Sequence, residues 1–98
     1  MPTVARDAAI IDFVAAAICQ GGDAGTGALV LVLAAVMELP IHAQAAVLDA
    51  MVAVRADADA DGQATADRLV DRAIGEAVVG PQRVFVRDHL TAGGFERP

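Results

Sequence analysis

Ninety-eight residues, 56% of them apolar, with a net charge of −6 and a mean hydropathy of +0.53, make one domain with more aliphatic surface than so small an interior hides. The chain has no lysine, serine, asparagine, tyrosine or tryptophan. That excludes a serine nucleophile, disfavours non-specific phosphate binding, and leaves Cys19, His42 and His89 as the obvious catalytic side chains, a thin inventory for an enzyme.

The opening "MPTVARDAAIIDF" carries an acidic residue where a signal peptide would begin its apolar run, so a cytoplasmic protein is expected. The single cysteine agrees with that compartment. A first helix is predicted over residues 4–20, capped by Thr3 and stopped by Gly21 and Gly22. Its apolar residues Ile10, Ile11, Phe13, Val14, Ile18 and Cys19 cover more than one stripe, which predicts burial on most sides.

A glycine-rich loop, "GGDAGTGA", follows, and then a second helix over residues 28–39 that is apolar on every face. Its run "ALVLVLAAVM" is about half of the roughly 20 residues that span a bilayer, and reads as a buried helix with no membrane role. Pro40 suits the first turn of a third helix reaching Ala56, with Ile41, Ala45, Leu48 and Val52 on one face. A fourth helix shows the cleanest pattern: Ala66, Leu69, Val70, Ala73, Ile74 and Ala77 form one stripe, opposite Asp67, Arg68, Asp71, Arg72 and Glu76. Arg72 and Glu76 stand at pairing distance on a helix, and Gly80-Pro81 ends it. In the remaining residues 81–98, Arg83 to Arg87 alternates as a strand does, but the flanking Pro81 and Gly93-Gly94 favour a C-terminal helix and tail.

Between the third and fourth helices stands "DADADGQATADR", residues 57–68, in which aspartates alternate up to a glycine as oxygens around a hard cation do. The order helix, twelve residues, helix resembles an EF-hand, whose loop begins D-x-[DN]-x-[DN]-G. The resemblance implies that Asp57, Asp59 and Asp61 are the first calcium ligands and Gly62 the turn, that Gln63 offers its carbonyl, and that Thr65 offers a hydroxyl or holds a water. Setting Gly27 on the same turn, 35 residues before Gly62, extends it to a paired helix-loop-helix core over residues 4–79, with Leu29 where the family's loops pair. This sequence departs from the family at the loop's last position, where Arg68 replaces the bidentate glutamate. Ala64 stands where an aliphatic residue is expected, and Asp23 is the first loop's one carboxylate. Two metal-free readings remain beside weak calcium binding: an EF-hand-like frame in which the Arg68 guanidinium bridges the aspartates, and a solvated turn whose aspartates cap the fourth helix.

The other constellations are weaker. "GGDAGTGA" lacks the lysine of a Walker loop and the preceding strand of a dinucleotide site. Cys19 is expected to be a buried structural thiol. Neither His42 nor His89 has a partner at metal-ligand spacing, and His89 suits a helix C-terminus. The tail is similar to the end of a helix-turn-helix or winged-helix DNA reader with exposed Gln82, Arg83 and Arg87, although an acidic chain and the apolar Val84-Phe85-Val86 run oppose it.

The expected protein is thus all-α, four to five short helices in a compact orthogonal bundle arranged as an EF-hand pair. The expected function is a non-enzymatic, acidic interaction or regulatory module without cofactor, which binds another protein or itself as a homodimer, and neither nucleic acid nor membrane. Calcium binding and DNA binding are the alternatives.

Overall fold

A computed structural model describes the backbone of residues 2–97 and the side chains of residues 8–97. Five helices follow one another, α1 (Pro2–Gln20), α2 (Gly22–Val36), α3 (Ile41–Asp57), α4 (Ala60–Ala77) and α5 (Pro81–Ala92), with no strand among the described residues. The all-α class and the C-terminal helix are as expected. The first helix begins ahead of Thr3, whose proposed capping side chain lies outside the described residues.

Both segments expected as loops are largely helix. Gly21 and Gly22 take φ of 65° and 58°, a left-handed turn that L side chains disfavour, and α2 starts at once, so "GGDAGTGA" is its first turns. A Cβ on Gly25 would collide with the Ala17 carbonyl oxygen and crowd Leu69, so this glycine serves the close approach of α2 to α1 and α4, not a loop. The buried Thr26 hydroxyl donates to the Gly22 carbonyl at 3.0 Å, which lets a polar residue sit in a helix interior.

The twelve-residue loop is likewise absent, since only Ala58 and Asp59 separate α3 from α4. Asp59 has extended backbone, and its Oδ1 accepts from the Gly62 N–H at 2.8 Å, the geometry of an N-cap. A cap three residues before a glycine and alternating calcium ligands share the same short pattern, and the helix-starting use of it is the one adopted here.

The core is built around α4, which lies against α2 along most of its length and also meets α1, α3 and α5. Its predicted stripe is in place, with Ala66, Leu69, Val70, Ala73 and Ile74 buried. They meet Val14, Ala17 and Ile18 of α1, Leu29 and Leu33 of α2, and Leu48, Met51 and Val54 of α3. Pro40 stands one position ahead of α3, its carbonyl accepting from the Ala43 and Gln44 N–H groups at 2.9 Å. The buried Gln44 amide then donates to the Leu39 carbonyl at 2.9 Å and fixes the turn between α2 and α3.

Burial of α1 and α2 is one-sided, contrary to expectation. Ile11, Phe13 and Cys19 of α1 and Leu31 of α2 are exposed, because five short helices offer too few neighbours to cover helices that are apolar all round.

Candidate functional site

The five candidate calcium ligands do not converge. Asp57 closes α3, Asp59 caps α4, and Asp61 lies in the first turn of α4, all three exposed. The Gln63 side chain turns back to donate to the Ala58 carbonyl at 3.2 Å, and the Thr65 hydroxyl accepts from Arg68 at 3.4 Å. Among the described residues, no three His, Cys, Asp or Glu side chains are grouped as a metal site.

Arg68 donates to Thr65 and is not found bridging these aspartates; the arginine that pairs with an aspartate of the segment, Asp67, is Arg55. Its Nε and Nη2 donate to the two oxygens of Asp67 at 2.8 and 3.0 Å, a fork-on-fork pair with both side chains largely buried. Asp67 also accepts from the Glu96 N–H at 3.2 Å, and the Arg55 guanidinium lies 5.6 Å from the centre of the buried Phe95 ring. The pair therefore fastens α3, α4 and the C-terminal tail at one point. The hydrogen bond that its guanidinium donates to Asp67 raises Arg55 above the ordinary guanidinium range, against the opposing effect of burial. A base raised on folding stabilises the fold below its ordinary pKa, here the whole working pH range, and loses that contribution only as pH climbs through the raised value.

Asp67 was expected on the polar side of its helix. It stands seven residues, close to two turns, before the buried Ile74, and this spacing was a signal in the sequence that it belongs at the edge of the apolar stripe.

Two apolar grooves flank α1. One, of about 410 Å³, runs between α1, α2 and α3 and is lined by Ile10, Phe13, Leu31, Ala35, Leu39 and Val47 among others, with no charged side chain. The other, of about 390 Å³, lies between α1, α3 and α4 and is lined by Ile11, Ala15, Ile18, Cys19 and Val54 together with Asp57 and Asp59. Cys19 is thus exposed, where a buried thiol was expected. It stands about 140° around the helix from the buried Val14, on the side that faces away from the core.

At the opposite end of α4, Val78 is buried while Val79 and Val84 are 68% and 62% exposed. Gly80, with φ of 64°, turns the chain into α5. Arg83 spans the corner, its Nε donating to the Val78 carbonyl at 2.9 Å and its Nη2 to the Gly75 carbonyl at 3.2 Å. Of the residues assigned to a DNA reader, Gln82 is exposed, Arg83 is engaged in this cap, and Arg87 is paired with Asp71 at 2.8 Å. Phe95, beyond α5, is buried against the bundle.

The remaining polar contacts are peripheral. Arg72 reaches Asp23 of α2 at 3.5 Å, its i,i+4 spacing to Glu76 notwithstanding, and both of these side chains are exposed enough for the pair to contribute little. His89, in the last turn of α5, meets Asp49 of α3 at 2.6 Å, and His42 is exposed in the first turn of α3. No described helix is long and apolar enough to cross a membrane. Comparison of the chain with protein-family models, with curated proteins and with solved structures gave no match.

Proposed function

We propose that this chain is a protein-interaction module that associates with copies of itself. The observation that carries the proposal is the apolar surface left open by a well-fastened bundle: Ile11, Phe13, Leu31, Ile41, Val79 and Val84 are each more than a third exposed, and two grooves lined mainly by apolar side chains border α1. Exposed apolar surface that gathers along a groove, as Phe13 and Leu31 do, is the kind that marks an interaction site. Fully covering one such side chain contributes about 1.5–3 kcal/mol. An interface that covers several of them is therefore on the scale of the ~4–15 kcal/mol that association costs.

The arrangement supports this reading over its two rivals. A calcium site would need the aspartates of residues 57–61 to face one point, and they are spent on a helix end, a cap and a first turn. A DNA reader would need several basic side chains on α5 without ion-pair partners, and Arg87 is paired with Asp71 while the net charge of −6 opposes a phosphate backbone. Light scattering over a concentration series tests the proposal. Mass above that of one chain is expected, and a single chain at every concentration contradicts it.

A further inference from the structure

We infer that copies of this chain join head to tail, with the α4–α5 corner of one copy seated in the groove between α1, α3 and α4 of the next. The inference rests on the self-association proposed above and names the two surfaces that meet.

Their placement comes first. The groove is bounded by Asp59 and Gly62 at the start of α4, and the corner begins just past its end. Eighteen residues of helix separate them by about 27 Å, most of the 32 Å length of the molecule. A copy cannot fill its own groove with its own corner, so each molecule offers one surface at either end.

Their chemistry is complementary. The corner projects two of the most exposed apolar side chains of the described protein, Val79 and Val84, on either side of Pro81, together with Arg83 and no carboxylate over residues 78–84. The groove is lined by apolar side chains together with Asp57 and Asp59, and by no basic side chain. Neither carboxylate forms an ion pair among the described residues. On a chain of net charge −6, contact between copies is opposed by repulsion unless a local positive group meets a local negative one. Arg83 against Asp57 and Asp59 is such a meeting.

The corner is also preorganised. Arg83 already bonds the two carbonyls at the end of α4, so Val79 and Val84 are held in place before they dock and little conformational freedom is lost on binding. Because the two surfaces differ, the contact is heterologous. Each added copy leaves a groove free at one end and a corner free at the other, and the assembly grows into a ring or an open filament according to the rotation between neighbours.

The other groove, without a charged lining, offers nothing that selects a copy of this chain over another apolar partner. It is the natural rival in the test.

The experiment is light scattering on the full chain, on Val84→Asp, on Ile11→Arg, and on an equimolar mixture of the two variants, with circular dichroism to verify helix content. Both positions are exposed, so the fold is expected to be retained. Asp57→Arg repeats the groove defect without touching an apolar residue, at a helix C-terminus where a cation is favoured. The unmodified chain should gain mass with concentration, and each variant alone should associate at least about tenfold more weakly. The mixture should recover association, at least as one-to-one pairs, because Val84→Asp keeps a sound groove and Ile11→Arg a sound corner. If the unmodified chain associates and the variants do so equally well, or if the mixture stays as single chains, the head-to-tail contact is overturned while self-association stands. If the unmodified chain never associates, the proposed function itself has failed.

Discussion

Two sides of this bundle treat their surplus chemistry in opposite ways. Where α3, α4 and the tail meet, Arg55 and Asp67 are paired by two hydrogen bonds, Phe95 lies beneath the guanidinium, and the Glu96 N–H completes the carboxylate. Along α1, by contrast, Ile11, Phe13 and the neighbouring Leu31 stay open beside two grooves. The first side is closed by contacts with strict geometry, which fix one arrangement of the chain. The second has few polar contacts to satisfy and is free to be covered from outside. Fastening and association are thus assigned to different residues, and substitutions can separate them.

The largest expected effect is on the closed side. Phe95→Ala should cost about 3–5 kcal/mol by opening a cavity beneath Arg55, a fall in Tm of more than 10 °C for a domain of this size. Asp67→Ala should cost about 3 kcal/mol because it strands a largely buried guanidinium. The double change Arg55→Met with Asp67→Leu should recover most of that loss, and thermal melts that show no recovery would mean that the pair acts through something other than its charges.

A smaller effect is expected where the two sides join. Gly25→Ala should cost about 1–3 kcal/mol, since the new methyl must push α2 away from the Ala17 carbonyl. That shift also moves Leu31, so association should weaken only if the groove between α1, α2 and α3 takes part in it. Sizing beside a urea titration reads both quantities on one sample.

Asp59→Ala should cost about 1 kcal/mol as a lost helix cap, equally in EDTA and in millimolar calcium. A calcium-dependent rise in Tm that this substitution abolishes would return the aspartates to a metal site. Least affected in stability should be Val84→Asp, within about 0.5 kcal/mol, because its side chain touches little of its own fold. Its effect belongs to association alone.

How much of this was legible in the sequence differs between elements. The stripe from Ala66 to Ile74 placed α4 in the core because one face alone was apolar. In α2 every face was apolar and periodicity had nothing to choose with. Leu29, Leu33 and Val36 turned inward and Leu31 outward, and the first two belong to the core shared with α1 and α4. The two segments that looked like loops misled for a common reason: glycine and aspartate begin helices as well as interrupt them. Gly25 was selected by a close approach of backbones, which is not local to the sequence, whereas the Asp59 cap on the Gly62 N–H is local and stood among the readings the aspartates allowed. The Arg55–Asp67 pair joins residues on different helices, so only the position of Asp67 relative to Ile74 hinted at it. The corner and the groove were legible least, since each is made of ordinary residues given meaning by standing at opposite ends of α4.

The most direct test of the separation between fastening and association is light scattering of the unmodified chain from micromolar to millimolar concentration, beside Val84→Asp of equal thermal stability. The account predicts a mass that climbs above the 10.0 kDa of one chain for the first protein and stays near it for the second. A constant 10.0 kDa for both would contradict it.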